Sequence, residues 1–284
     1  MDLISLLFLV VIILFIFASL RREFIDSKEQ LAEETAQPLL ESTPEYLVYP
    51  GNTLHLADEI IHDILIKHHP YYTQLDPKLK LIFILRIQYF LQQKVFIIHD
   101  TKGYREMPIL VSASAVQLTM GLKHFSLPWF QYIQIQPDAY FAKDSSRLLA
   151  GNVAGNSITV AWKYLLDGYK NSNDGSNVGL HEMAHALYYQ FIHADEVKKK
   201  RFVQCFNAIV EDGIEIFSAG KIPGGLFIDD AYKNLHEIWA VSIELFFEKP
   251  ITLQFQYPNL FDTISDLLRQ DTRHLSWPVL VVQE

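Results

Sequence analysis

Two histidines four residues apart, His181 and His185, stand in an apolar segment of helical spacing that runs from Asn177 to Leu187. Side chains at positions i and i+4 lie one above the other on a helix face, so both imidazoles can reach one ion. The surrounding apolar positions would bury these rings, and a buried imidazole without a partner is costly. The segment is therefore predicted to be a buried helix with a metal-binding face.

Glu182 completes the pattern H-E-x-x-H between the two histidines. Zinc accepts neutral imidazole nitrogens, and catalytic zinc sites use three protein ligands and one water molecule. Glu182 lies about 100° around the helix from His181, which suits a carboxylate beside the water rather than on the metal. Such a carboxylate acts as general base and later protonates the leaving amine. The motif predicts a Zn²⁺ cofactor and hydrolysis, with a purely structural histidine pair as the alternative.

A third zinc ligand has to come from another segment, and the helical pattern from Leu235 to Phe247 offers three candidates. Glu237 and Glu244 are seven residues apart, which places them on one face but about 10 Å apart along the axis. One ion cannot bind both of them. His236 is a further candidate, although it points about 100° away from Glu237. The spacing leaves the choice among these residues open.

The N-terminus is an apolar stretch, Leu3 to Leu20, that is polar only at two serines. A helix of this length measures roughly 27 Å, close to the hydrocarbon thickness of a bilayer. A cleaved signal peptide is the alternative, but Asp2 precedes the stretch and no convincing small-x-small cleavage site is present. Residues 1–22 are therefore predicted to be a single transmembrane anchor. Arg21 and Arg22 favour a cytoplasmic location for the domain that follows.

Residues 23–53 are acidic, contain three prolines and lack a sustained apolar period, so they are predicted to be a tether. The whole chain has a formal net charge of -9, which argues against a nucleic-acid partner. Its single cysteine excludes an internal disulfide framework and a multi-cysteine zinc cage. Histidine and carboxylate side chains are therefore the zinc ligands to consider.

The remaining residues, 54–284, have a globular pattern without internal repeats and are predicted to form one domain. The apolar spacing predicts helices at Ala57–Lys67, Pro77–Lys94, Asn177–Ile192, Asp195–Ile216, Ala231–Phe247 and Leu260–Gln270. It predicts strands at Val95–Ile98, Tyr132–Gln136 and Ser157–Trp162, the last followed by a helical segment. Few strands and many helices, without regular alternation, predict an α+β fold that is mostly helical with a small sheet.

Two blocks of residues carry a resemblance to a known family. They are Asp174-Gly175-Ser176-Asn177-Val178-x-Leu180-His181-Glu182-x-Ala184-His185-x-Leu187 and Glu237-x-x-Ala240-Val241-x-x-Glu244-x-Phe246-Phe247. In spacing and order these blocks resemble the Mlc titration factor A family of bacterial zinc peptidases. Segments Ile133 to Phe141 and Asn156 to Gly168 are also similar to this family, so the resemblance runs from about Leu54 to Thr272.

This resemblance implies a zincin-like metallopeptidase domain, related to the catalytic domain of anthrax lethal factor. It implies Glu237 as the third zinc ligand and a supporting or structural role for Glu244. It also implies a peptide or protein substrate, aminopeptidase-like activity, and an extended peptide lying along the strand Ser157–Trp162. Members of the family bind the glucose repressor Mlc, so a transcriptional regulator is a further expected partner.

The chain departs from the family pattern at two positions near the metal. The family has aspartate three residues after the second metal histidine, where this chain has Tyr188. It has tyrosine seven residues before the glutamate ligand, suited to stabilising an oxyanion, where this chain has Asp230. The nearest phenol, Tyr232, is therefore predicted to help hold the oxyanion.

The sequence thus favours a membrane-anchored, zinc-dependent metallopeptidase in which Glu182 is the general base. One alternative is a zinc-stabilised module at the membrane that binds a transcriptional regulator with little or no hydrolysis. Another is a structural membrane protein in which the motif arose by chance.

Overall fold

The computed structural model describes residues 47–53, 56–100, 103, 105–142, 147–194, 196–219, 225–227 and 229–273. The predicted anchor, residues 1–22, and most of the predicted tether lie outside these ranges. Within them, no helix combines the length and the apolar character that crossing a membrane requires. Of the described residues, those in 47–153 and 157–273 form one compact unit.

Helices make up most of this unit. In chain order they are α1 (Asp58–His68), α2 (Pro70–Gln74), α3 (Pro77–Gln93), α4 (Glu106–Thr119), α5 (Trp162–Lys170), α6 (Val178–Ile192), α7 (Glu196–Ala219), α8 (Leu235–Glu248), α9 (Pro250–Gln256) and α10 (Pro258–Leu268). The strands are β1 (Leu47–Tyr49), β2 (Val95–Ile98), β3 (Tyr132–Gln136), β4 (Tyr140–Phe141), β5 (Leu148–Leu149), β6 (Gly151–Ala154) and β7 (Ser157–Ala161). Short 3₁₀ turns occupy Gly51–Thr53 and Asp229–Tyr232.

Five of the strands form a mixed sheet in the order β1-β2-β3-β7-β6. Strands β2, β3 and β7 run parallel, with Phe96, Ile133 and Ile158 in register, and β1 pairs with β2 in the antiparallel sense. These three side chains are fully buried in the same core as the apolar faces of the helices. Strands β4 and β5 form a separate two-stranded ribbon. The expected α+β architecture, mostly helical with a small sheet, is confirmed.

Most predicted elements are present, with differences at their ends. Strands β2 and β3 have the predicted bounds, whereas α8 begins at Leu235 instead of Ala231. The reason is Asn234, whose side chain accepts hydrogen bonds from the backbone N–H groups of His236 and Glu237 and so caps the helix there. The residues before the cap form the second 3₁₀ turn.

Helix α4 is the main element that the sequence patterns did not predict. Every residue from Met107 to Thr119 is buried, so this helix has no polar face. A helix that is buried all around shows no 3.6-residue apolar period. The hydroxyls of Ser112 and Thr119 are satisfied within the helix, because each donates to a carbonyl one turn earlier, at 2.6 and 2.7 Å.

The order of the strands corrects one expectation. Ser157–Trp162 was predicted to be the strand that accepts an extended peptide, but β7 lies between β3 and β6 and is paired on both sides. The edge of the described sheet on this side is β6. At the opposite edge, Leu47–Tyr49 belong to the sheet although they lie within the segment predicted to be a tether.

Candidate metal centre

Helix α6 carries the H-E-x-x-H motif and packs against α4, α8 and β7. Its first turn is fixed by Asn177, whose side-chain Oδ1 accepts a hydrogen bond from the backbone N–H of Leu180 at 3.1 Å. Gly179 approaches α4 so closely that a Cβ at this position would collide with the Ser114 side chain. From the other side, the indole N–H of Trp239 donates to the backbone carbonyl of Ala184 at 2.8 Å. The last two contacts fix α6 relative to α4 and α8.

Three side chains from these two helices converge on one point. Nε2 of His181 lies 3.2 Å from Nε2 of His185 and 3.2 Å from Oε2 of Glu237, and Oε1 of Glu237 lies 3.6 Å from Nε2 of His185. One ligand atom from each residue lies within 4.8 Å of the other two. Tetrahedral ligands at about 2.0–2.1 Å from a zinc ion are about 3.3 Å apart. The separations of 3.2 and 3.6 Å, to which each oxygen of Glu237 contributes one, are close to this value, so the three side chains could hold a metal ion and leave one position open.

Glu244 contacts the other ring nitrogen of His181 and is not one of the three converging donors. Its Oε2 lies 3.0 Å from Nδ1 of His181, and its Oε1 accepts a hydrogen bond from the backbone N–H of Asn177 at 2.6 Å. A proton on Nδ1 that is donated to Glu244 leaves the lone pair of Nε2 free for a metal. Of the three candidate ligands on α8, Glu237 is thus the one that the packing brings to the two histidines.

Glu248, one turn after Glu244, extends this support and was not predicted from the sequence. Its carboxylate accepts hydrogen bonds from the backbone N–H groups of Gly175 at 2.9 Å and Ser176 at 3.2 Å, and from the side chain of Asn177 at 3.0 Å. Burial raises the pKa of Glu248 to about 8, although these hydrogen bonds act in the opposite direction. The sequence feature that could have indicated Glu248 is that it is a third acidic residue, one helical turn after Glu244, in an otherwise apolar segment.

The charges around the centre favour a cation. Burial by itself would lower the pKa of His181, but its hydrogen bonds to Glu237 and Glu244 hold this pKa well above its usual value. Burial and the neighbouring His181 lower the pKa of His185 to about 3, which keeps this imidazole neutral, as a metal ligand must be. The negative potential of the two carboxylates is suited to a metal ion at the point where the donors meet.

Glu182 lies beside the three donors and is buried. Burial raises its pKa to about 7; the nearby His181 counteracts this, while the charges of Glu237 and Glu244 add to it. A Cβ on Gly151 would lie only 2.5 Å from Oε1 and Cγ of Glu182. The absence of a side chain at position 151 of β6 therefore makes room for this carboxylate.

An open cleft of about 580 Å³ gives access to these groups. One wall consists of six consecutive residues, Leu148 to Val153, which include β5 and most of β6. The other walls include the metal-site residues, Tyr164 and Tyr189, and the segment Lys233–Asn234 with His236. The cleft can thus admit an extended chain between the edge of the sheet and the metal site.

The structure does not bring Tyr232 into this cleft, although its neighbours Lys233 and Asn234 line it. Tyr232 is half-buried and packs against the apolar core. Two other phenols line the cleft, Tyr164 of α5 and Tyr189 of α6, and Tyr189 is the one that lies one helical turn after His185. Asp230 lies in the 3₁₀ turn, and its side chain is outside the described part of the structure.

Tyr188 and His236, two further residues that the sequence singled out, pack against each other. Their rings meet edge to face with centroids 4.6 Å apart. The ring of Tyr188 also contacts Phe206 of α7, at 4.8 Å. Where the family has an aspartate, this chain thus has an aromatic contact between α6, α7 and α8. No described residue accepts a hydrogen bond from Nδ1 of His185.

Comparison with known proteins agrees with this geometry. Residues 53–269 match the model of the family described as glucose-regulated metallo-peptidase M90. The uncharacterized protein slr2042 of Synechocystis sp. (strain ATCC 27184 / PCC 6803 / Kazusa) is 27% identical over 214 residues, which are 69% of this chain and 78% of that protein. The resemblance to the Mlc titration factor A family is confirmed, because this is the family that the model describes. The chain belongs to the glucose-regulated metallo-peptidase M90 family.

Proposed function

We propose that this protein is a zinc-dependent peptidase in which His181, His185 and Glu237 hold the metal and Glu182 is the general base. The observation that carries the proposal is the convergence of two imidazole nitrogens and one carboxylate oxygen within 4.8 Å, beside a buried acid and an open cleft. Two nitrogens and one carboxylate are the donor set of a known class of catalytic zinc sites.

When bound, zinc polarises the scissile carbonyl and lowers the pKa of a water molecule. Glu182 accepts the proton that this water loses as its oxygen attacks the carbonyl carbon. The carboxyl group then donates the proton to the departing amine nitrogen, which completes the cleavage of the C–N bond. Burial already favours the protonated form of this carboxyl group more than water does, which suits a group that has to hold a proton between the two steps.

The substrate in this proposal is an extended peptide that pairs with β6. Gly151, Asn152 and Val153 line the cleft, and β6 is the last strand in the described sheet. The outer N–H and C=O groups of an edge strand can pair with an added strand. Since Gly151 touches the carboxylate of Glu182, a peptide bond that lies beside Gly151 is next to the base.

We assign the contact with the oxyanion to Tyr189 rather than to Tyr232. Helical side chains lean toward the N-terminus of their helix, which directs Tyr189 toward His185. No described residue forms a hydrogen bond with its hydroxyl, and burial raises its pKa, so the phenol remains a donor. Tyr189→Phe is expected to lower kcat about 10²–10³-fold, whereas Tyr232→Phe changes it less than threefold. Equal effects of the two variants would contradict this assignment.

The decisive experiment measures zinc content and peptide cleavage in the full chain, in Glu182→Gln and in Glu59→Gln. Glu59 is an exposed glutamate in the first turn of α1, so its variant controls for the change of charge. Zinc is measured by mass spectrometry of the metal, and cleavage with internally quenched peptides. We expect one zinc per chain in all three proteins, and a loss of cleavage of about 10²–10⁴-fold in Glu182→Gln alone.

Two other results would overturn the proposal in different ways. A zinc-loaded wild-type protein that cleaves no peptide would favour the alternative, a zinc-stabilised module that binds a transcriptional regulator. A protein that stays free of metal in excess zinc would show that the three donors do not form a metal site.

A further inference from the structure

The ribbon of β4 and β5 presents two apolar side chains to solvent at the mouth of the cleft. Phe141 and Leu148 are opposite each other in the ribbon, and Tyr140 is opposite Leu149. Because successive side chains of a strand point to opposite faces, each pair occupies one face. The hydroxyl of Tyr140 is buried, whereas Phe141 is 68% and Leu148 57% exposed. The ribbon therefore turns Tyr140 and Leu149, both partly buried, inward and the exposed pair Phe141 and Leu148 outward.

Leu148 of this pair belongs to the wall of the cleft, and Phe141 adjoins that wall through its pairing with Leu148. Leu148 lines the cleft together with the next five residues, of which the last three belong to the edge strand β6. Leu148 precedes Gly151 by three residues, a span of at most about 10 Å. Since Gly151 contacts Glu182, Leu148 lies within reach of a residue close to the scissile bond of a peptide paired with β6.

Two aromatic residues of the same cleft supply further apolar surface. Tyr164 of α5 lines the cleft and is 39% exposed, and Tyr189 of α6 lines it near the metal site. A single exposed apolar residue needs no explanation, but adjacent ones beside a binding cleft mark a contact surface. The carboxylates of the cleft, by contrast, are grouped at the metal centre.

We propose that Phe141 and Leu148 form a specificity subsite that accepts a large apolar side chain, leucine or phenylalanine, of the substrate peptide next to the scissile bond. This inference rests on the proposed peptidase function and names the substrate class of that site. The occupant is the substrate itself, because the pair adjoins the strand on which the substrate is proposed to lie.

The test uses the full zinc-loaded chain and peptides that differ at one position only. Each position from two before to two after the scissile bond is varied between leucine, phenylalanine, serine and aspartate, and the products are identified by mass spectrometry. We expect one of these positions to prefer leucine or phenylalanine at least tenfold in kcat/KM. Leu148→Asn and Phe141→Asn are expected to reduce this preference about tenfold, mainly by raising KM for the leucine and phenylalanine peptides, with a much smaller effect on cleavage of the serine peptides.

Phe255→Asn is the matched control, because Phe255 is 86% exposed on α9 and does not line the cleft. This variant keeps the full preference. The subsite would be refuted by a wild-type enzyme without apolar preference, or by variants at positions 141 and 148 that lower cleavage of all peptides equally.

Binding of uncleaved peptides to Glu182→Gln, measured by fluorescence anisotropy, separates this inference from the proposed function. The subsite is supported if Glu182→Gln binds the leucine peptide ten times more tightly than the serine peptide, and if the double variant with Leu148→Asn does not. This holds even where the wild type shows no hydrolysis. If the wild type cleaves peptides but Glu182→Gln binds the leucine and serine peptides equally, the proposed peptidase function stands and the subsite is refuted.

Discussion

Gly151→Ala tests the placement of the general base, because it adds one methyl group where the carboxylate of Glu182 lies. The new Cβ would be 2.5 Å from Cγ and Oε1 of Glu182 and 2.7 Å from Cδ. Contacts between nonbonded carbon atoms are about 3.5–4.0 Å. Either Glu182 or β6 therefore has to move by about 1 Å. The backbone angle φ of Gly151 is not positive, so alanine itself adds no backbone strain.

A shift of about 1 Å in a catalytic group can reduce the rate about 100-fold, which corresponds to about 2.7 kcal/mol in the activation barrier. We expect kcat of Gly151→Ala to fall by this factor. Zinc content is expected to stay at the wild-type level, because the three atoms nearest to the new Cβ all belong to Glu182 and not to a proposed zinc ligand. Steady-state kinetics with a quenched peptide and metal analysis of the same sample measure both quantities.

Two controls show whether the effect acts through Glu182. Asn152→Ala changes the next residue of the same strand, which also lines the cleft, and is expected to alter kcat less than tenfold. In a double-mutant cycle, Gly151→Ala adds nothing to Glu182→Gln, because the base is already lost. Wild-type kcat in Gly151→Ala, or an additive loss in the cycle, would refute the contact between Gly151 and Glu182.

Three further results are expected. Glu244→Gln weakens zinc binding about 10–100-fold in a competition assay with a chromophoric chelator, because it disturbs the orientation of His181; unchanged affinity would contradict this role. Removing zinc with dipicolinic acid lowers Tm, since a metal at 100 times its Kd stabilises the fold by about 2.7 kcal/mol; an unchanged Tm would argue against the site. Burial lowers the pKa of His69 to about 3, so wild-type stability is lost as pH falls from 6.5 toward 3, by about 1.4 kcal/mol per pH unit. His69→Asn can still accept the hydrogen bond from the backbone N–H of Tyr72, but it has no imidazole to titrate. Its free energy of unfolding, measured in urea, should therefore depend less on pH than that of the wild type. An equal dependence on pH in the two proteins would refute this prediction.

The elements that could be predicted are those whose sequence carries a local signal. The i, i+4 histidines and their apolar frame predict helix α6, and the alternation of Tyr132–Gln136 predicts β3. Helix α4 has no such signal, because all residues from Met107 to Thr119 are buried and no polar face marks a period. The end of a helix depends on single side-chain contacts, which is why Asn234 starts α8 later than its apolar pattern suggests.

The sequence alone determined the identity of the motif residues and the chemistry they can carry, since i, i+4 spacing sets which side chains share a helix face. It left Glu237, Glu244 and His236 as competing ligands. Only the packing of α8 against α6 placed Glu237 with the histidines and Glu244 behind His181. The tertiary structure also placed β6 at the sheet edge, Gly151 against Glu182, and Tyr189 rather than Tyr232 in the cleft. These contacts join residues far apart in the chain, and no local periodicity specifies them.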